Sequence, residues 1–204
     1  SLAARGRLAS EMRPPQPARA NNPKPQFRKM LLHEKLRSYR LLLASQSPRR
    51  RELLRGCGLP YALAPTYPCE EVFPDKLDAE EVPGYLSQLK SDAYPWQLEP
   101  NDILMTADTV VVFDGRVLGK PRDRDDAFAM LRRHTVVSGV TFRTAAHRRT
   151  FSSRSDVWFR TLTDEEIAYY LDSHRPYDKA GSYGIQEWIG YAAIERIDGS
   201  FYNV

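Results

Sequence analysis

Residues 103–113, Ile-Leu-Met-Thr-Ala-Asp-Thr-Val-Val-Val-Phe, carry the strongest strand signal in the chain, and Asp108 is the only charge within them. A run this rich in β-branched and apolar residues has to be paired inside a sheet. It ends at Asp114-Gly115, a dipeptide suited to a two-residue turn, so Arg116-Val117-Leu118 is predicted to fold back as a hairpin partner. A carboxylate in such a strand is costly unless it meets a cation, a metal or hydrogen-bond donors. The bland alternative places Asp108 at a strand end, capping a turn; the functional reading is favoured.

Other elements interleave with this strand. Leu41-Leu42-Leu43-Ala44 reads as a buried strand, broken by Ser45-Gln46-Ser47-Pro48. Ser47 and Pro48 make an N-cap and first-turn pair for a helix through Arg55, with Gly56 and Gly58 near its end. Residues 80–94 are predicted helical, with Val82, Leu86 and Leu89 on one face and Pro83 in the first turn. A helix over 123–133, strands over 136–144 and 157–161, and a helix opened by the Thr163/Glu166 capping box follow. Ile167, Tyr170 and Leu171 should be the buried side of that last helix, and residues 191–197 a final strand. The expected class is α/β: a mixed twisted sheet flanked by helices.

The 204 residues suffice for one substantial domain, and 42% hydrophobic with 27% charged residues is ordinary globular composition. Residues 1–29, rich in Pro, Arg, Asn and Ala without apolar periodicity, read as a flexible or tag-like extension dispensable for catalysis, with Met30 as the natural start of a single domain over 30–204. A charge of +4, much of it in the first fifty residues, argues only weakly for nucleic acid. No run approaches a membrane span, no secretory signal opens the sequence, and Cys57 and Cys69 lack motif spacing, so a cytoplasmic protein with reduced thiols is expected.

Four segments could carry chemistry. Ser45-Gln46-Ser47-Pro48-Arg49-Arg50 sits where a strand meets a helix N-terminus, where free N–H groups and the helix dipole favour an anion; a capped helix with a solvated basic face is an equal reading. Asp108 is the second. Leu118-Gly119-Lys120-Pro121 alone is more simply a turn, and Glu70 and Lys90 alone are ordinary solvated charges. The fourth, residues 178–186, puts glycines beside Tyr183 and Gln186 in a loop that could pack on a flat ligand or simply turn. Anion donors, carboxylates and lysines together suit phosphoryl chemistry with Mg²⁺ or Mn²⁺. A P-loop and a Gly-x-Ser-x-Gly elbow are both absent.

At this point the chain resembles the Maf family of nucleotide pyrophosphatases, from about Tyr39 to Val204. The motifs are Leu43-Ala44-Ser45-Gln46-Ser47-Pro48-Arg49-Arg50, then Ala107-Asp108-Thr109-Val110-Val111 and Leu118-Gly119-Lys120-Pro121, then Asp178-Lys179-Ala180-Gly181-Ser182-Tyr183-Gly184-Ile185-Gln186, and finally Gly199-Ser200-Phe201-Tyr202-Asn203-Val204. The resemblance implies two lobes with a central cleft, a fold related to the inosine triphosphate pyrophosphatases, a divalent metal, and cleavage between the α and β phosphates. It puts the catalytic carboxylate on Asp108, a second metal-binding acid on Glu70, site lysines on Lys90 and Lys120, and the phosphate-binding opening on Ser45 or Ser47 with Arg49 and Arg50. Arg49, Thr109 and Gln186 match the branch that takes dTTP and UTP.

Two family features are missing. A Leu-Ser-Gly turn usually lies where Arg133 meets His134, and the family continues past Asn203-Val204 into Gly-Leu-Pro and a helix; omitted residues are the favoured reading of both gaps. Asp108 then serves as general base or as metal ligand, and the sequence is compatible with either. The alternatives are the same reaction on a modified purine triphosphate such as 7-methyl-GTP or ITP, and a non-catalytic phosphate or nucleic-acid binding module. The resemblance also implies a homodimer.

Overall fold

A computed structural model of the chain describes residues 31–131 and 134–204. The expected extension over 1–29 and the predicted helix end at Arg132 and Arg133 lie outside the described residues. A short helix α1 (Leu32–Lys35) leads into strand β1 (Arg40–Leu43), whose three leucines are buried. Helix α2 (Pro48–Gly56) starts as its cap predicts: Ser47 Oγ accepts from the Arg50 N–H at 3.4 Å, and Pro48 fills the first turn, where no N–H is required. Strand β2 (Ala62–Leu63), helix α3 (Val82–Asp92) and strand β3 (Asp102–Phe113) follow.

At the tip of β3, Asp114 and Gly115 both take positive φ, 50° and 69°, and the chain returns as β4 (Arg116–Leu118). Helix α4 (Arg124–Met130), strand β5 (His134–Arg143), strand β6 (Arg148–Phe159), helix α5 (Asp164–His174), helix α6 (Trp188–Ala192) and strand β7 (Ile194–Asp198) complete the order. Thr163 and Glu166 form the predicted capping box on α5. Glu166 also grips Arg160 through both carboxylate oxygens at 2.9 and 2.6 Å, which holds its carboxyl down at about 2.

The sheet has seven strands in the order β2-β1-β3-β5-β6-β7, with β4 paired to β3. Strand β1 is parallel to β2 and β3, and every other pairing is antiparallel, so the expected mixed sheet is present. Along β3, side chains at even positions face α3: Val110 and Val112 pack with Val82 and Leu86. The odd positions face the other side, where Met105 lies in the cluster of Leu54 from α2 and Val111 packs with Val136 and Val157. A larger core of α4, α5, α6 and the loop before α6 buries Ala127, Ile167, Tyr170, Leu171 and Ile189. The far side of β3 therefore meets α2 at one end and, through Val111, the apolar cluster that includes Ala180 and Val204 at the other.

The short elements α1 and β2 were not expected, and two of the expected strands start elsewhere than predicted. Strand β6 begins at Arg148, well before the predicted 157, because residues 148–154 run along an edge beyond β7, which pairs only with residues 156–159. Those residues are mostly exposed, so the sequence has no reason to alternate apolar and polar there. The final strand starts at Ile194 rather than 191, because residues 188–192 form α6, whose Ile189 is fully buried while Tyr191 is 86% exposed.

Candidate active site

The site lies where β3 loses a neighbour. Strand β1 pairs with it only as far as Met105, and β4 begins only at Val111. The Ala44 N–H donates to the Met105 carbonyl at 2.9 Å and the Arg40 N–H to the Asn101 carbonyl at 2.8 Å, so odd-numbered carbonyls of β3 face that edge. By the same alternation the backbone groups of Ala107 and Thr109 face a gap between β1 and β4. Asp108 and Thr109, consecutive in sequence, project to opposite faces beside this gap.

On the α3 face the Lys90 ammonium donates to Asp108 Oδ1 at 2.5 Å and lies 3.0 Å from Glu71 Oε2. Lys90 and Asp108 are only 16% and 13% exposed, whereas Glu71 reaches in from solvent. The register of α3 that brings Lys90 here is set by close contact and hydroxyls. A Cβ on Gly139, the partner of Asp108 across the ladder, would stand 2.3 Å from the backbone of Pro83 and Gly84. Thr106 donates to the Ser87 carbonyl at 2.6 Å, and Ser87 Oγ bonds Thr141 Oγ1 at 2.7 Å, all buried. Tyr67 donates to the Lys90 carbonyl at 2.7 Å, and burial pushes its phenol up to about 12.

On the other face stands the start of α2. Arg50 donates from Nη1 to Ser45 Oγ at 3.0 Å and from Nη2 to Thr109 Oγ1 at 3.3 Å, and Thr109 Oγ1 lies 2.9 Å from Ser138 Oγ on β5. Among the described residues Arg50 forms no ion pair. Burial lowers its pKa from the ordinary guanidinium value, against the weaker pull of Asp108 and Glu71. The first turn of α2 holds no acid, so arginine charge sits on the positive end of the helix dipole. An anion bound there would satisfy both. Between the faces lies a cleft of ≈ 270 Å³, lined by Ser45, Ser47, Arg50, Cys69, Glu71 and Lys90 among others, and Arg50 also borders a more apolar groove of ≈ 410 Å³.

Of the residues singled out from sequence, Ser45, Ser47, Arg50 and Lys90 line the cleft, and Asp108 and Thr109 are bonded to it. The second acid lies differently from its neighbour. Glu71, not Glu70, reaches the lysine; Glu70 is exposed and its carboxylate bonds none of the described residues, because neighbours in an extended segment point to opposite sides. Lys120 is exposed and makes no ion pair among the described residues; its charge adds to the lowering of the Asp178 carboxyl. Gln186 stands apart from the cleft lining, on the loop before α6. In the amide orientation that satisfies both groups, its carbonyl accepts from Arg49 Nε at 3.3 Å and Nη2 at 2.9 Å. Nothing in the sequence separates Glu71 from Glu70; the spacing to Lys90 acquires meaning only once α3 is docked.

The family model described as Maf-like protein matches residues 40–204. A dTTP/UTP pyrophosphatase of Porphyromonas gingivalis (strain ATCC BAA-308 / W83) is 50% identical over 178 residues, covering 84% of this chain and 89% of that one. One of the same description from Bacteroides thetaiotaomicron is 46% identical over 174 residues, 83% and 90% of the two chains. Another, from Flavobacterium johnsoniae, is 39% identical over 179 residues, 85% and 92%. No described helix is long and apolar enough to cross a membrane.

Proposed function

The chain belongs to the Maf-like protein family, and on that premise we propose that it hydrolyses nucleoside triphosphates between the α and β phosphates, with dTTP and UTP preferred. The observation that carries the reading is the pairing of a mostly buried, carboxylate-free Arg50 at a helix N-terminus with the Lys90–Asp108–Glu71 cluster across one cleft. Phosphate oxygens would take the arginine's unmet charge and the free N–H groups of α2.

Asp108, Glu71, Lys90 and Arg50 sum to zero charge, so a polyphosphate entering among them brings a large excess of negative charge. The carboxylates fit a divalent cation that offsets it. Each of Asp108 and Glu71 leaves one oxygen outside its bond to Lys90, and Mg²⁺ or Mn²⁺ is commonly held by one or two carboxylates plus phosphate oxygens. Among the described residues no three acidic, His or Cys groups converge, so the substrate would complete the shell. When bound, such a cation supplies charge neutralisation and polarises the phosphoryl oxygens.

The chain's own residues do the rest. With Glu71 and the phosphate oxygens holding the cation, the free oxygen of Asp108, oriented by Lys90, accepts a proton from the attacking water. The water oxygen bonds to the α phosphorus, the bond to the α,β bridging oxygen breaks, and its electron pair leaves with pyrophosphate. Lys90 and Arg50 hold charge on the phosphate oxygens as it redistributes. With its carbonyl held by Arg49, the Gln186 amide N–H₂ would donate to a pyrimidine carbonyl, and Thr109, next to Asp108 on β3, would offer a second polar group.

A nucleotide panel with and without Mg²⁺ or Mn²⁺ tests the reading. Metal-dependent pyrophosphate release, fastest on dTTP and UTP, is the expected result. Preference for 7-methyl-GTP or ITP would move the substrate, and salt-sensitive binding without turnover would remove the activity.

A further inference from the structure

Among the described residues, Arg50 is the one cation of the site anchored by hydroxyls at both ends, Ser45 on one side and Thr109 on the other. The Ser45 end is secured locally, since the Ser47 N–H also donates to Ser45 Oγ at 3.3 Å within the same turn. The Thr109 end has no such local support. Thr109 is exposed on the open stretch of β3, and a threonine there can present either its hydroxyl or its methyl toward α2. What selects the hydroxyl is Ser138, directly opposite on β5, with its Oγ 2.9 Å from Thr109 Oγ1.

We propose that Ser138 is a positioning residue for the reaction: it holds the Thr109 hydroxyl toward Arg50 and so fixes the plane in which the guanidinium meets the substrate's phosphates. The proposal rests on the pyrophosphatase reading for its substrate but not for its geometry. Ser138 belongs to the α2 face and touches neither Lys90 nor Asp108, so its loss should weaken binding and leave the bond-breaking step intact. With alanine at 138 the threonine is free to turn its methyl inward, and Arg50 keeps a single anchor. Burial already disfavours the charged guanidinium, so the loss of an acceptor works against it.

The test compares wild type, Ser138→Ala, Ser138→Thr, Thr109→Val and the Ser138→Ala/Thr109→Val double variant. The readouts are kcat and KM with dTTP, calorimetric affinity for inorganic tripolyphosphate, and melting temperature. Ser138→Ala is expected to raise KM and weaken tripolyphosphate about three- to tenfold, the loss of one ordinary hydrogen bond, with kcat within about twofold and melting unchanged. Ser138→Thr should restore binding, and the double variant should match Thr109→Val alone. An unchanged KM and tripolyphosphate affinity in Ser138→Ala, or effects of Ser138→Ala and Thr109→Val that add, overturns the proposal. A wild type inactive on dTTP defeats the substrate reading only; the tripolyphosphate arm then still decides the role of Ser138.

Discussion

The face of β3 that carries Asp108 is sealed, whereas the face that carries Thr109, one residue on, is open. Against the first, α3 lies so close that Gly139 has no room for a Cβ, and buried hydroxyls of Thr106, Ser87 and Thr141 lock the register. Against the second, α2 holds its guanidinium through longer bonds to hydroxyls, over a groove of ≈ 410 Å³. A strand sends successive side chains to opposite sides, so two neighbours can sit in environments of very different stiffness. The sealed face suits a group whose position must not drift during bond breaking. The open face suits recognition, where a ligand supplies the missing contacts.

The comparison breaks first at Asp108. Asp108→Asn is expected to cut kcat by about 10²–10⁴-fold, the loss of a general base, while tripolyphosphate affinity and melting temperature stay near wild type. Retention of more than about a tenth of the activity at saturating metal would take the chemistry off this face. Gly139→Ala tests the seal itself. Its Cβ would meet backbone at 2.3 Å, so α3 must shift, at a cost of about 1–3 kcal/mol or more in denaturant unfolding. Activity should fall further than stability explains, because Lys90 moves with the helix. If Gly139→Ala is as stable and active as wild type, the closeness of α3 does not matter.

Gln186→Ala sharpens the other side. Gln186 is exposed, so the loss should be about 1 kcal/mol in kcat/KM for dTTP and UTP, with GTP little affected. An identical profile across nucleotides would leave base choice to cleft shape. The smallest effect is expected far from both faces, at the Arg160–Glu166 pair. The folded-state pKa of Glu166, about 2, lies below its ordinary value, so its contribution is present above about pH 4.5 and fades as pH falls toward 2. Melting temperatures of wild type and Glu166→Gln should therefore converge through that window, while neutral-pH activity stays equal. Equal differences at pH 2 and pH 7 would remove this assignment.

Local chemistry was legible wherever it acts over a few residues. The Ser47 and Thr163 caps, the Asp114-Gly115 turn and the buried side of α5 all follow from neighbours in sequence, and all are present. Asp108 was legible for another reason: a lone acid in an apolar strand is costly anywhere, so its exception shows without a structure. The exposed run at the start of β6 offered no such signal, and Glu70 could not be told from Glu71.

The sequence by itself therefore determined most of the longer strands and helices, their caps, and an acid and an arginine-rich helix start that suit phosphate chemistry. Tertiary structure decided which of two adjacent glutamates meets Lys90, that Thr109 rather than Asp108 faces α2, and that Ser138 stands behind it. Those outcomes depend on where β1 stops pairing with β3, where β4 starts, and how α3 docks across residues far apart in the chain. Period-two alternation says that neighbours point apart; only the packed partners say which side is the cleft.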